Sequence, residues 1–240
     1  MLNYMNSVPL HIQLKEIIES KIISGEYTGR IPSERELMDE YYVSRSTVRQ
    51  AINQLVLDGI LEKRHGRGTY VKLKPIQDWL GSLSSTTETI EKMGMTSGAK
   101  LLEARILTLI GPLKRKIGFD SIYCFKRIRY ANEIPIGIEK NYYPIHIGEA
   151  LKKYNLDRET FYDLLEKNLG IKIDEAEQLI KAGNISKEDA KLINVPPNIG
   201  VLITERKLFD INGDFIEYEE AFYRADMYNF KLKLSRKINT

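Results

Sequence analysis

Apolar side chains recur at helical spacing through the first sixty residues. Leu10, Leu14, Ile17, Ile18 and Ile22 follow Pro9 as one stripe, with Lys15, Glu16, Glu19 and Lys21 off it. Gly25 is placed to end this helix. Ser33 and Glu36 have the spacing of a capping box, and Pro32 before them cannot extend an earlier helix, so a second helix is expected over about 34–41. Ser44 offers another N-cap oxygen. Val48, Ile52, Leu55 and Val56 then mark the apolar face of a third helix, with Gly59 placed to close it in a left-handed conformation. After it the period changes to that of strands. Segments 60–64 and 69–72 read as a hairpin whose turn takes its freedom from Gly66 and Gly68.

Residues 73–86 are rich in small polar side chains and read as a linker that becomes part of the second domain, with Trp79 as a packing anchor. From about residue 87 the pattern is α+β. A short helix stops at Gly94, and strands start near Ala99 and Ser121, the second returning as a hairpin through Asn132. A helix from Arg158 carries Thr160 and Asp163 at capping-box spacing and stops at Gly170. Beyond it come a charged strand from Ile173, a short helix capped by Ser186, and a hairpin around Asn212 and Gly213. A last strand near 230–234 closes the domain. The expected organisation is a first domain over 1–73, a linker over 74–86 and a second domain over 87–240.

Composition narrows the functional classes. The 240 residues suffice for two modest domains, and 42% hydrophobic with 29% charged residues is ordinary for a soluble globular chain. No apolar run is long enough to span a bilayer, and the N-terminal segment lacks the pattern of a signal peptide. Cys124 is the single cysteine, so no intramolecular disulfide can form, and a buried thiol in a reducing, cytoplasmic setting is expected. His11, His65 and His146 show no metal-ligand spacing, and nucleophile, phosphate-loop and dinucleotide motifs are missing, so neither metal, cofactor nor catalysis is expected.

Charge argues through position, not amount. Net charge is +3, and the first 72 residues hold ten Lys/Arg against nine Asp/Glu. Arg45 and Arg49 nevertheless share a face in the first turns of the third helix, where the macrodipole disfavours cations, which points to an anionic partner. Lys63, Arg64, His65 and Arg67 cluster in the hairpin without an acid among them. The segments PLHIQLKEIIESKIISG from Pro9, PSEREL from Pro32, VSRSTVRQA from Val43 and RHGRGTYV from Arg64 resemble the winged helix-turn-helix of the GntR family of bacterial transcription regulators. The stretch from Gly25 to Pro32 is shorter than usual, and Ile31 stands where leucine is commoner. The resemblance implies a homodimer on a palindromic operator. Arg35, Arg45 and Arg49 would read bases or phosphates, Ser44, Ser46 and Thr47 would donate to phosphates, and His65, Gly66 and Arg67 would reach the minor groove.

KRIRYANEIPIGIEKNYYP from Lys126, ETFYDLLEKNLGI from Glu159 and INGDFIEYEEAFYRAD from Ile211 resemble the UTRA effector domain of the HutC branch of that family. The resemblance implies a chorismate-lyase-like fold with a mainly antiparallel sheet; the helix usual between Gly111 and Phe119 looks shortened. Arg127 and Arg129, two apart on a strand, share a face and repel unless an anion or acids lie between them. The outward amides after Thr160 suit an anion, Glu139 and Glu217 suit ligand hydroxyls or an amine, and Tyr223 could close the pocket. By resemblance to sugar-phosphate sensors, Arg127, Arg129, Thr160 and Tyr162 would hold a phosphate, and Glu139, Glu217 and Tyr223 the sugar-like part. The competing reading pairs the arginines with Glu139, Glu217 or Glu219 across the sheet. Two rival functions accompany this one: a chorismate-lyase-like enzyme fused to a DNA-binding module, and an architectural DNA binder without ligand.

Overall fold

A computed structural model describes residues 2, 4, 7–23, 26, 27, 29–72 and 75–235, which form two compact units that part between Lys74 and Pro75.

The first unit consists of α1 (Leu10–Ile23), α2 (Glu34–Tyr41), α3 (Arg45–Leu57) and a hairpin of β1 (Leu61–Arg64) and β2 (Gly68–Val71). The expected stripes converge: Leu14, Ile18, Leu37, Val48, Ile52 and Leu55 are buried in one core. Gly59 takes φ +74° after α3, as expected, whereas Gly25 lies outside the described residues. The short segment before α2 is used as backbone pairing. Ile31 donates to the Thr69 carbonyl at 3.0 Å and Val71 donates to the Gly29 carbonyl at 2.8 Å, so this segment flanks β2 through one antiparallel bridge, Arg30 against Tyr70. Ile31 itself is buried in the core, where its β-branched side chain fits an extended backbone.

The second unit is built on a six-stranded antiparallel sheet in the order β4-β5-β6-β9-β8-β7. Its strands are β4 (Ser97–Thr108), β5 (Ser121–Ala131), β6 (Ile134–Tyr143), β7 (Ile173–Asn184), β8 (Gly200–Asp210) and β9 (Phe215–Arg224). The loop between β5 and β6 is Asn132-Glu133, both at positive φ, the conformation a tight hairpin requires. Alternation divides β5 cleanly. Ile122 and Cys124 pack against Ile117 of α5 (Gly111–Ile117), a short helix as expected. Tyr123 and Phe125 pack on the other face against α6 (Ile145–Leu151) and α7 (Phe161–Asp163), which runs on as a π-helix over Leu164–Asn168. Cys124 is buried, and burial pushes its thiol up to about 11. After β7, α8 (Lys187–Leu192) is capped by Ser186, whose hydroxyl accepts from the Asp189 amide at 3.0 Å.

Segment 75–86 joins the second unit and carries elements that the sequence pattern leaves out: β3 (Ile76–Trp79) pairs in parallel with β10 (Tyr228–Lys231), and α4 (Thr86–Lys92) starts inside the same stretch. Ile76 and Asp78 are buried, an alternation too short to stand out in sequence. The final strand accordingly joins β3 instead of the main sheet. Thr160 and Asp163 form no capping box: the Thr160 side chain makes no cap hydrogen bond, and Asp163 pairs with Lys167 at 2.9 Å. Only one α-turn precedes the π-helix, and its first residues, Thr160 to Tyr162, line the cavity described below. Helix α6 was not anticipated, since a seven-residue helix after Pro144 is too brief to establish a period.

Candidate functional site

The expected DNA-facing residues gather at the start of α3 and at the hairpin turn. Ser33 and Glu36 form the capping box that starts α2, with bonds of 2.7 and 3.3 Å. Ser44 caps α3 by accepting from the Thr47 amide at 3.2 Å, and its hydroxyl shares hydrogen bonds with those of Ser46 at 2.8 Å and Thr47 at 2.9 Å. Arg45 has an internal partner beside any external anion, its Nε donating to Glu34 at 3.2 Å. Arg35 and Arg49 are exposed and have no ion-pair partner among the described residues. In the hairpin, Lys63 donates to Asn53 at 2.7 Å, and Arg64 pairs with Glu62 and stacks over Tyr70. His65, Gly66 and Arg67 form its exposed tip, where Gly66 takes the left-handed φ of +68° that a side chain would strain.

In the second unit, one face of the sheet collects buried charge. Arg127 and Glu139 are direct partners across β5 and β6, as are Glu219 and Arg206 across β9 and β8. Gly137 lies between Arg129 and Tyr223, and a Cβ there would come within 2.4 Å of the Phe222 carbonyl, so the strands close only around glycine. Glu139 accepts from Arg127 at 3.3 Å, Arg129 at 3.4 Å, Thr86 at 2.8 Å and Tyr223 at 2.9 Å. Arg127 also lies 3.9 Å from the Phe161 ring centre, and Arg129 donates to Thr87 at 2.8 Å. Arg206 donates to Gln178 at 2.6 Å, Tyr162 at 3.1 Å and the Ser84 carbonyl at 3.2 Å. Thus residues 84–87, expected in or beside a linker, touch all three arginines or their carboxylate.

These groups enclose a cavity of about 20 Å³, room for a water. It brings together Arg127, Arg129, Glu139, Thr160, Tyr162 and Glu217 from the expected set. Tyr223 stands behind Glu139, stacked at 4.1 Å on Tyr228. The expectation of cross-strand pairing holds for Glu139, which is engaged by both arginines and is not free for a ligand hydroxyl. Glu217 is likewise occupied, accepting from Tyr143 at 2.6 Å and Asn141 at 2.8 Å. Arg206, Asn141 and Thr86 are absent from the sequence-based set, and Glu219 enters it only as a cross-strand partner of Arg127 and Arg129. The available signal was period two: Arg206 shares the inward face of its strand with Thr204 and Leu208, and Glu219 follows Glu217 by two.

The carboxyls differ in charge state. Burial opposes ionisation of Glu139, but Arg129 and Arg127 outweigh it and hold the group below its ordinary value. Burial lifts Glu217, against its bonds from Tyr143 and Asn141. Burial lifts Glu219 to about 8, with Arg206 opposing and Glu139 and Glu217 adding. Near neutral pH three buried arginines therefore face the ionised Glu139, a Glu217 raised by burial and a Glu219 lifted towards the neutral acid. A carboxyl raised from 4.5 to about 8 contributes stability that is complete below pH 4.5 and lost as pH rises towards 8. Replacing Glu219 with Gln removes this loss. Melting curves of the full chain should show the variant gaining several degrees on the wild type between pH 5 and 8.5; parallel curves would reject the assignment.

Four buried polar atoms around the cavity lack partners among the described residues: the Nε of Arg127 and of Arg129, Asn141 Oδ1 and Glu219 Oε1. Orphaned buried groups are rare and costly, so the arrangement suits a ligand that accepts from the arginines and donates to the amide or carboxyl.

Comparison with known proteins bears on both units. Residues 10–71 match the family described as bacterial regulatory proteins, gntR family, and residues 92–229 match the UTRA domain. The chain is 31% identical over 234 residues to the HTH-type transcriptional repressor NagR of Bacillus subtilis, covering 95% of this chain and 96% of that protein. It is 28% identical to the mannosyl-D-glycerate transport/metabolism system repressor MngR of Escherichia coli, covering 97% and 99%. The crystal structure of PhnF from Mycobacterium smegmatis superposes with a TM-score of 0.64 at 24% identity, covering 93% of this chain and all of that one, a likeness of fold. The helix-turn-helix core, the six-stranded sheet and these matches together place the chain in the GntR family of bacterial DNA-binding transcription regulators, in the HutC type that carries a UTRA domain.

Proposed function

We propose that this regulator is a cytoplasmic, non-enzymatic repressor that binds a palindromic operator as a homodimer and changes its affinity when a small anion, of the phosphorylated-sugar kind, enters the cavity of the second unit. The observation that carries the effector class is the surplus of buried positive charge where Arg127 and Arg129 share the single carboxylate of Glu139. A buried charge without a counter-charge is expensive, and an incoming anion supplies one. The anion competes with Glu139 for Arg127 and Arg129, and Thr160 and Tyr162 border the space it would take. Because the cavity is only about 20 Å³, binding requires it to open, and Ser84, Thr86 and Thr87 must yield with it. Ligand binding that favours one arrangement of the chain over another couples to operator affinity, typically by about 1–3 kcal/mol.

On the DNA side, Arg35, Arg45 and Arg49 read bases or phosphates, the hydroxyls of Ser44, Ser46 and Thr47 donate to phosphates, and His65, Gly66 and Arg67 enter the minor groove. Exposure, and the absence of ion pairs at Arg35 and Arg49 among the described residues, support this reading. The test is selection of bound duplexes from a random pool, followed by titration of the selected duplex with and without hexose phosphates. Two symmetric half-sites, two chains per duplex and a phosphate-ester-dependent shift in affinity are expected. An asymmetric single site occupied by one chain would overturn the dimer reading; indifference to every phosphate ester would overturn the effector class.

A further inference from the structure

Arg206 is the one arginine of the cluster whose hydrogen-bond partners are all uncharged: the Gln178 amide, the Tyr162 hydroxyl and the Ser84 carbonyl. Only 7% of it is exposed, and its Nη2 makes no hydrogen bond among the described residues. Its cross-strand neighbour Glu219 makes no ion pair with it among the described residues and is lifted by burial towards the neutral acid, so none of the groups hydrogen-bonded to the guanidinium carries a counter-charge. Arg206 also forms the shared wall between the small cavity and a second one of about 150 Å³, bordered by Trp79, Leu83, Ser84, Ala176 and Gln178. Asp78 belongs to that wall too, but its carboxylate is engaged by the Tyr228 hydroxyl at 3.0 Å.

We propose that this second cavity is a subsite for another acidic group of the effector, a carboxylate held by Arg206, so that the effector class is a phosphate ester bearing a carboxylate some atoms away. The proposal rests on the effector reading above. The two ends have separate jobs: Arg127 and Arg129 take the phosphate, and Arg206, reached past Tyr162, selects among phosphate esters by their far end. Arginine suits the task because its planar fork pairs with a carboxylate through two parallel bonds.

The test uses the full chain and two probe pairs that differ by a carboxylate: glycerol 3-phosphate against 3-phosphoglycerate, and glucose 6-phosphate against 6-phosphogluconate. Trp79 is the only tryptophan and borders the second cavity, so its emission reports occupancy there independently of affinity. In at least one pair the carboxylate-bearing member should bind tenfold or more tightly and alone shift Trp79 emission. Arg206→Gln should erase both effects, leaving the two members of each pair equal in affinity, and Arg206→Lys, which keeps the charge without the fork, should fall between. No preference in either pair, or a preference that survives in Arg206→Gln, overturns the subsite. Loss of the plain ester in Arg206→Gln, with circular dichroism unchanged, also overturns it by making Arg206 part of the first anion site. If carboxylate probes bind through Arg206 but plain esters do not bind at all, the phosphate reading fails and the subsite stands; if none of the four binds, both fail.

Discussion

Replacement of Glu139 by alanine is expected to destabilise the second unit by about 3–5 kcal/mol, the usual cost of removing one partner from a buried ion pair. Here one carboxylate serves two guanidinium groups, each no more than 3% exposed, and also accepts from Thr86 and Tyr223. Its loss leaves Arg127 and Arg129 repelling each other with no other ion-pair partner in contact among the described residues. Glu139→Gln keeps the shape and part of the hydrogen bonding but not the charge, and should fall between alanine and wild type. Denaturant unfolding of the full chain, followed by far-ultraviolet circular dichroism, measures both. The same substitution also tests the anion reading. If Glu139 occupies the arginines that an anion would take, inorganic phosphate should stabilise Glu139→Gln more than wild type at equal concentration, by mass action on the folded state. A loss below about 1 kcal/mol would mean that the arginines do not depend on this carboxylate. An equal response of both proteins to phosphate would mean that phosphate does not compete for the same groups.

The parts of this molecule legible in its sequence are those whose signals are local and repeated. The caps at Ser33 and Ser44 and the stripe through Val48, Ile52 and Leu55 specify the first unit because neighbouring residues both set the period and fill the core. The hairpins of the sheet were equally plain, since turns such as Asn212-Gly213 announce themselves. The capping-box spacing of Thr160 and Asp163 misled, because Lys167 one turn on offers Asp163 a competing partner that spacing alone does not weigh. Strand β3 was hidden because its pairing partner, β10, lies about 150 residues away and contributes no local signal. The cavity was half legible for a related reason. Arg127 and Arg129 stand out as like charges on one face, but Arg206 and Thr86 join them only through sheet order and the placement of α4, which are long-range facts.

Arg49→Ala should weaken binding to the selected operator by about 1–3 kcal/mol, roughly 5- to 150-fold, while leaving the melting temperature within a degree of wild type. The two halves of that expectation have one source. Arg49 is exposed and makes no ion pair among the described residues, so removing it costs the fold nothing and the complex a full contact. Arg45 differs, because it enters the complex from its pair with Glu34, in which the arginine side chain remains 73% exposed. Exposed pairs contribute about 0–1 kcal/mol, so a stronger partner on DNA can draw Arg45 away. Arg45→Ala should therefore weaken binding like Arg49→Ala, less the small cost of breaking the pair, and it also leaves the Glu34 charge uncovered near the phosphates. Glu34→Gln removes that competitor and should leave operator affinity unchanged or slightly tighter. Salt titrations of each variant sort the contacts. A phosphate contact lowers the slope of log K against log salt by about one and weakens all duplexes alike, whereas a base contact relaxes the preference at one operator position. Unchanged affinity in both arginine variants would remove the start of α3 from the interface and leave the hairpin tip at His65 and Arg67 as the surviving candidate.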